Sequence, residues 1–177
     1  KTDPDAGAKG MSLLVAERGD AGFTRGRNLE KVGWHAQDTS ELFYSDVRLP
    51  ADRLLGDENR AFKYLMQELA QERLIVAIRS ITTLETAVAN TVAYTRQREA
   101  FGKPLFALQN TRFKLAECQT QAVVARTFVD RCLEMHMQGQ LDANDAAMAK
   151  LHVTETLGKV LDECLQLHGG YGYMWEY

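Results

Sequence analysis

Helical patterns of great length fill the second half of this sequence and restrict the folds it can adopt. The first runs from about Asn59 to Arg98, which at about 1.5 Å per residue gives a helix roughly 55–60 Å long. Arg96 lies in its last turn, Gly102 stands just past its end, and Pro104 follows, all of which are typical stop signals. A helix of this length predicts a bundle rather than a compact mixture of short elements.

Two more helical patterns follow the first. One covers about residues 109–138 and stops at Gly139, and the other begins after the N-cap candidate Asp142 and runs to His168. Three long helices joined by short loops predict an antiparallel bundle. Because no Glu is followed three residues later by His, the pattern of a carboxylate di-iron bundle is missing, and we expect no metal site.

Residues 1–50 carry the patterns of β-strands. The candidate strands are Met11–Glu17, Phe23–Asn28 and Glu41–Leu49, with glycines between them. Two or three strands cannot bury a core alone, so this part is predicted to be the second half of a β domain. Pro50–Glu58 forms the boundary, which gives an α+β fold: a partial β-sheet or barrel domain over residues 1–55, then an antiparallel long-helix bundle over residues 56–177.

Composition excludes several functional classes. A net charge of −3 argues against nucleic acid as the main partner, and the longest purely apolar run, Leu74–Ile78, is far too short for a transmembrane segment. The chain begins with Lys1 rather than Met, so we interpret it as a piece of a longer protein. Cys118, Cys132 and Cys164 are odd in number and far apart, which predicts buried free thiols in a reducing compartment.

Glu72 interrupts an apolar stripe of the first helix. Helical spacing places it on one face with Leu65, Leu69 and Val76. A carboxylate in such a stripe is expected to lose water, which raises its pKa and suits a general base. The alternative is that Glu72 pairs with a neighbouring arginine, Arg73 or Arg79, or merely edges the stripe.

Two further groups allow either a structural or a functional interpretation. Arg96, Arg98 and Lys103 cluster at the end of the first helix, where they complement the helix dipole or clamp a phosphate. The run 169–172, Gly-Gly-Tyr-Gly, follows a helix, so one interpretation is a helix cap and turn. The other is that residues 168–175 form the edge of a cofactor site, where the glycines allow close approach and the aromatic residues allow packing.

Three stretches taken together resemble the acyl-CoA dehydrogenases: residues 97–104 with Gln109 following, residues 166–173, and residues 49–56 at the domain junction. The similarity covers nearly the whole chain and is greatest to the long-chain branch, chiefly through residues 66–74 and 167–177. The resemblance implies an FAD-dependent oxidoreductase of fatty acid β-oxidation.

The resemblance also implies a mechanism. Glu72, in the run Glu-Arg-Leu, matches the placement of the catalytic base on the bundle helix. This base removes a proton from Cα of a long or medium fatty acyl-CoA while a hydride leaves Cβ for N5 of FAD, which gives a trans-2-enoyl-CoA. Electron-transfer flavoprotein is the implied partner for reoxidation.

Further site residues follow from the same resemblance. The implied FAD-binding positions are Arg98, Gln109, Gln166, Leu167, His168, Gly169 and Gly170. They reach the FAD of a neighbouring subunit in this family, so a homo-oligomer, a dimer or tetramer, is implied. The implied substrate-binding positions are Arg73, Gln71, Ala70, Ala8 and Lys9. Related sequences often carry an aromatic residue at position 63, where this chain has Lys63.

Other interpretations remain open at the level of sequence. An acyl-CoA oxidase or another flavin oxidase would keep the fold but use oxygen as acceptor, and a catalytically silent helical bundle would serve assembly only. This stretch by itself is expected neither to hold FAD well nor to turn over substrate. A bacterial cytoplasm is the first expectation for the compartment, and a mitochondrial matrix the second.

Overall fold

The computed structural model describes residues 1–176 and divides into two compact units, Lys1–Gln67 and Glu68–Tyr177. Tyr177, the last residue of the predicted helical domain and of the stretch 167–177, lies outside the described residues. The structure is rich in helix and has a few short strands, as the sequence predicts. The domain division between residues 55 and 56 stays a prediction.

The first unit contains two small antiparallel pairs of strands. Strand β1 (Leu13–Leu14) pairs with β4 (Leu54–Leu55), and β2 (Phe23–Asn28) pairs with β3 (Ser40–Tyr44). Phe23 lies opposite Tyr44, and their rings stack with centroids 5.0 Å apart. These pairs form no closed barrel within residues 1–176, which agrees with the prediction of a partial β domain.

Two of the predicted strands are shorter in the structure. The candidate strand 11–17 is reduced to β1, and the candidate strand 41–49 ends at Tyr44. The candidate strand 41–49 ends early because Asp46 adopts a positive φ of 49°, which an extended strand does not allow. The second candidate, β2, has the predicted bounds.

Three long helices make up most of the second unit: α1 (Ala61–Gln97, whose first turns belong to the first unit), α2 (Gln109–Met137) and α3 (Ala143–His168). Arg73 contacts the first residue of α3, and Tyr94, near the end of α1, contacts its last, so α1 and α3 run in parallel. Lys114 near the start of α2 pairs with Glu163 near the end of α3 at 3.0 Å, so α2 runs the opposite way. Consecutive helices are therefore antiparallel, as predicted.

The connection between α2 and α3 follows the predicted signals. A carboxylate oxygen of Asp142 accepts hydrogen bonds from the backbone N–H groups of Asn144 and Asp145, both at 2.8 Å. These bonds satisfy donors that the first turn of a helix cannot pair internally. Gly139, just after the end of α2, has a φ of 69°, a conformation that glycine adopts without a steric penalty.

The core of the second unit is a seam of small and medium apolar side chains drawn from all three helices. Its members with no exposed surface are Ala77, Ile81, Leu84, Ala125, Cys132, Ala149 and Val153. The three cysteines are buried and free, as predicted. Burial, with a smaller effect from nearby Cys164, raises the pKa of the Cys118 thiol to about 11.

A short hairpin between α1 and α2 was not predicted. Strand β5 (Glu99–Ala100) pairs with β6 (Lys103–Pro104) across the two-residue turn Phe101-Gly102, both with positive φ. Turns of this kind suit the twist of two antiparallel strands. In the sequence this segment is recognisable only as the stop of the first helix, because each strand is two residues long and carries no alternation.

No helix among the described residues combines the length and apolarity that crossing a membrane requires.

The three-helix seam predicts a clear difference between two Leu→Ala variants. Leu84→Ala opens a cavity at a position with no exposed surface, and we expect it to lower the free energy of unfolding by about 2–5 kcal/mol. Leu151 on α3 is 60% exposed, so Leu151→Ala should lower the free energy of unfolding by less than about 1 kcal/mol. Denaturant unfolding followed by circular dichroism measures both, and equal losses would contradict this assignment of the core.

Candidate functional site

A cleft of about 580 Å³ opens where the ends of α1 and α3 lie side by side. Its walls include six of the seven predicted cofactor positions: Arg98, Gln166, Leu167, His168, Gly169 and Gly170. Gln109 is the exception, since it is exposed at the first residue of α2, two positions before Thr111, which does line the cleft. The fold thus collects residues that are about 70 positions apart in sequence.

Tyr94 and His168 join the two helix ends at this cleft. Their rings stack with centroids 4.1 Å apart and planes 9° from parallel, and the Tyr94 hydroxyl donates to the His168 carbonyl at 3.3 Å. Burial lowers the pKa of His168, so the neutral ring is favoured there. The pair fixes the end of α3 against α1 and presents a flat aromatic wall.

Arg98 is the arginine that faces the cleft. Its guanidinium carbon lies 5.0 Å from the centroid of the Tyr171 ring, and its backbone carbonyl accepts a hydrogen bond from Leu105 N–H at 2.8 Å. Arg96 instead lies over the ring of Phe106, also at 5.0 Å. Of the three clustered cations, Arg96, Arg98 and Lys103, only Arg98 is among the lining residues.

The glycine run after α3 has a structural role of its own. Gly169 ends the helix with a φ of 60°, and its N–H bonds the Gln166 carbonyl. A Cβ on Gly172 would lie 2.7 Å from the Leu165 carbonyl oxygen, so a larger residue cannot be placed there without a shift. The helix-cap interpretation is therefore confirmed, and the same backbone forms one side of the cleft.

Glu72 lies on the exposed side of α1, and the expectation that it is buried is wrong for the described chain. The buried row of α1 begins with Leu74, Ala77 and Ile81. Positions two residues apart on a helix, such as Glu72 and Leu74, differ by about 200° of rotation about the helix axis. The side chain of Glu72 therefore points away from the buried row. Among residues 1–176, the described ion pairs include none between Glu72 and Arg73 or Arg79, so the alternative interpretation as an ion pair is not supported either.

The predicted substrate positions fall in both units. In the second, Ala70 is half-buried, Gln71 is exposed, and Arg73 Nη1 donates to the Ala143 carbonyl at 3.4 Å, which turns this side chain toward the start of α3. In the first, Ala8 and Lys9 lie in a 3-10 turn, Gly7–Gly10, and line a separate groove with Lys63. Substrate binding by all five positions stays a prediction.

A family model described as "Acyl-CoA dehydrogenase, C-terminal domain" matches residues 59–177. This chain belongs to the acyl-CoA dehydrogenase family.

Similar proteins and solved structures support the assignment to this family. The mouse protein named long-chain specific acyl-CoA dehydrogenase, mitochondrial, is 52% identical over 170 residues, which are 96% of this chain and 40% of the mouse protein. A solved acyl-CoA dehydrogenase from Geobacillus kaustophilus is 50% identical, with a TM-score of 0.95 over 100% of this chain and 47% of that one.

A third similar chain comes from a structure described as the electron transferring flavoprotein of Acidaminococcus fermentans. It is 34% identical, with a TM-score of 0.92, and the match covers 99% of this chain and 46% of that one. The chain therefore spans less than half the length of each of these relatives.

Members of the acyl-CoA dehydrogenase family are flavoproteins, and the cleft has the chemistry that a flavin nucleotide needs. Arg98 offers a forked donor for phosphate oxygens, Tyr94 and Tyr171 offer aromatic surface, and Gly169 and Gly170 allow close approach of the backbone. The donor set therefore fits FAD.

Several lining residues had no predicted role in the site, namely Tyr94, Ala100, Leu105 and Thr111, whereas Tyr171 and Met174 belong to the run 168–175 that was interpreted as a helix cap or a cofactor edge. Tyr94 carried a usable signal, since it lies one helical turn before Arg98 and so shares its face. Ala100 and Leu105 enter the cleft only because the unpredicted hairpin β5–β6 folds back on the end of α1.

The burial of His168 predicts a pH effect. Its pKa should lie below the ordinary 6.5, so an NMR titration of the ring should show a midpoint under that value. Because the unfolded chain takes up the proton first, the free energy of unfolding should fall as the pH drops through 6.5 toward the folded midpoint. Tyr94→Ala removes the covering ring and should move the midpoint upward. A midpoint at or above 6.5 in the unaltered protein would contradict this account.

Proposed function

We propose that this chain is part of an FAD-dependent dehydrogenase that converts a long-chain fatty acyl-CoA to a trans-2-enoyl-CoA. The observation that carries the proposal is the setting of Glu72, whose carboxylate has no ion-pair partner within residues 1–176 and lies on a helix face that also presents apolar side chains. Leu69 and Val76 are half-buried, and neighbouring Ile75 is 47% exposed. A carboxylate with accessible apolar neighbours is able to meet both the polar and the aliphatic part of an acyl thioester.

Glu72 acts as the base in this proposal. The proton on Cα of a thioester is weakly acidic, so its removal needs a positioned acceptor within hydrogen-bond reach. An acyl chain lying along Leu69 and Val76 would exclude water from the reacting atoms. Bound FAD supplies the acceptor for the hydride that leaves Cβ. The 52% identity to the mouse long-chain enzyme supports the substrate class.

FAD is held in this proposal at the cleft between the ends of α1 and α3. Arg98 binds phosphate oxygens, and the backbone of Gln166 to Gly170 forms the edge against which the cofactor lies, with Gln109 contributing from the start of α2. We propose that these groups serve the FAD of a neighbouring copy, which makes the enzyme a homo-oligomer, a dimer or tetramer.

Electron-transfer flavoprotein is the proposed acceptor of the electrons. The similarity to a chain from the structure of the Acidaminococcus fermentans flavoprotein supports this partner. The proposed compartment is a bacterial cytoplasm, with a mitochondrial matrix as the second candidate, in keeping with the mouse relative's name.

The assignment of Glu72 predicts the effect of Glu72→Gln in the flavin-loaded holoenzyme. The amide keeps the size of the side chain but cannot accept the proton, so the rate of flavin bleaching by a long-chain acyl-CoA should fall by a factor of about 10²–10⁴. Glu68→Gln, an exposed change one turn earlier on α1, is the matched control and should leave the rate unchanged. Wild-type bleaching in Glu72→Gln would remove Glu72 from this role.

The assignment of Arg98 predicts a loss of cofactor rather than of chemistry. Arg98→Gln should raise the dissociation constant for FAD about tenfold or more, because a charged and forked phosphate donor is lost. Arg96→Gln is the matched control, since Arg96 lies over Phe106 and not in the cleft. FAD titration of the apoprotein, read by flavin fluorescence, measures both, and equal affinities in the two variants would contradict the assignment.

A further inference from the structure

The imidazole of His168 has polar atoms that the described chain does not use. One face of the ring stacks on Tyr94, but neither ring nitrogen forms a hydrogen bond within residues 1–176. The ring lines the cleft between the ends of α1 and α3. Since a neutral imidazole has one donor and one acceptor nitrogen, His168 offers the cleft hydrogen-bonding groups that are open to a ligand.

The groups around His168 favour a negative charge in the cleft. Of the described residues that line it, Arg98 carries a permanent charge, and none is an Asp or Glu. The other titratable groups near the ring are the hydroxyls of Tyr94 and Tyr171, which ionise only at about pH 10, and the buried thiol of Cys164 one turn earlier on α3. An anion in the cleft would therefore meet Arg98 and His168 with no lining carboxylate to compete.

The protonation of His168 depends on what lies beside it. Burial lowers the pKa of the imidazole below its ordinary 6.5, so the neutral ring prevails at neutral pH. An anion next to the ring acts in the opposite direction, because an opposite charge favours the protonated form. The stack does not prevent protonation, since a cation over a tyrosine ring is attracted to its face. Binding of an anion is therefore expected to draw a proton onto His168.

We propose that the side chain of His168 is a proton-linked ligand of the FAD phosphates, neutral in the free protein and protonated when FAD is bound. The inference rests on the proposed function, which assigns FAD to this cleft, and deepens it by adding a dependence on pH. Backbone contacts of residues 166–170 alone would give no such dependence, and Arg98 stays charged throughout. The proton comes from solvent as FAD binds and returns to solvent when FAD leaves.

FAD should bind more tightly as the pH falls. Below the pKa of His168 in the free protein the ring is charged with or without FAD, and above its pKa in the complex the ring is neutral in both states. Affinity therefore changes only between these two values. In fluorescence titrations of the apoprotein, we expect the dissociation constant for FAD to rise about three- to tenfold from about pH 6 to about pH 8.

Variants assign this pH effect to one side chain. His168→Gln removes the titrating ring, and His168→Phe removes it while keeping an aromatic ring to stack on Tyr94, so both should abolish the rise. His152→Gln is the matched control, since His152 is an exposed histidine of the same helix that lines a separate groove between α2 and α3. The control should keep the pH dependence of the unaltered protein.

Two measurements on the unaltered protein follow the proton itself. In NMR titrations, the midpoint of the His168 ring should move upward when FAD is bound. Calorimetry in buffers of different ionisation heat should show uptake of up to about one proton per FAD at about pH 7.

The outcomes separate this inference from the proposed function. FAD affinity that is constant across the pH range, a His168 midpoint that FAD does not raise, or a pH effect that persists in His168→Gln overturns the inference. Failure of FAD to bind overturns it together with the proposed cofactor site. Flavin bleaching by a long-chain acyl-CoA is measured separately on the holoenzyme, and its absence with pH-dependent FAD binding intact overturns the dehydrogenase proposal alone.

Discussion

The close packing of three helices along one seam of small side chains is the constraint on which the second unit depends. Ala77, Ala125 and Ala149 have no exposed surface, so the helices approach one another closely over their length. Long helices that are locked in register at their middles also fix the relative positions of their ends. The stacking of Tyr94 on His168 and the cleft beside it follow from that alignment.

Local signals were sufficient to predict the helical half of the fold. Asp142 was predicted to start a helix, and its side chain accepts the capping hydrogen bonds in the structure. Gly139 was predicted to end one, and it has a positive φ. The hairpin at Phe101-Gly102 was missed because two-residue strands leave no periodicity to detect. The strand region was predicted less well, since where a strand ends depended on the single unusual φ of Asp46.

Site residues that stand in local motifs were predicted from the sequence, whereas features that depend on how the helices pack were not. Arg98 and the glycines after α3 stand in specific motifs, and the fold does bring them together. The burial of Glu72 was predicted wrongly because α1 carries more than one apolar row, and the sequence of one helix does not say which row faces its neighbours. The stacking of Tyr94 on His168 was missed because it joins residues far apart in the chain.

The central claim is that the exposed carboxylate of Glu72 removes the α-proton of an acyl thioester. A crystal structure of the holoenzyme with a non-reactive acyl-CoA analogue tests it most directly, through the distance from a Glu72 carboxylate oxygen to the ligand's α-carbon. We predict a distance of about 3–3.5 Å, the separation at which reacting atoms are held for reaction. A Glu72 side chain that still faces bulk water, well away from the bound thioester, would contradict it.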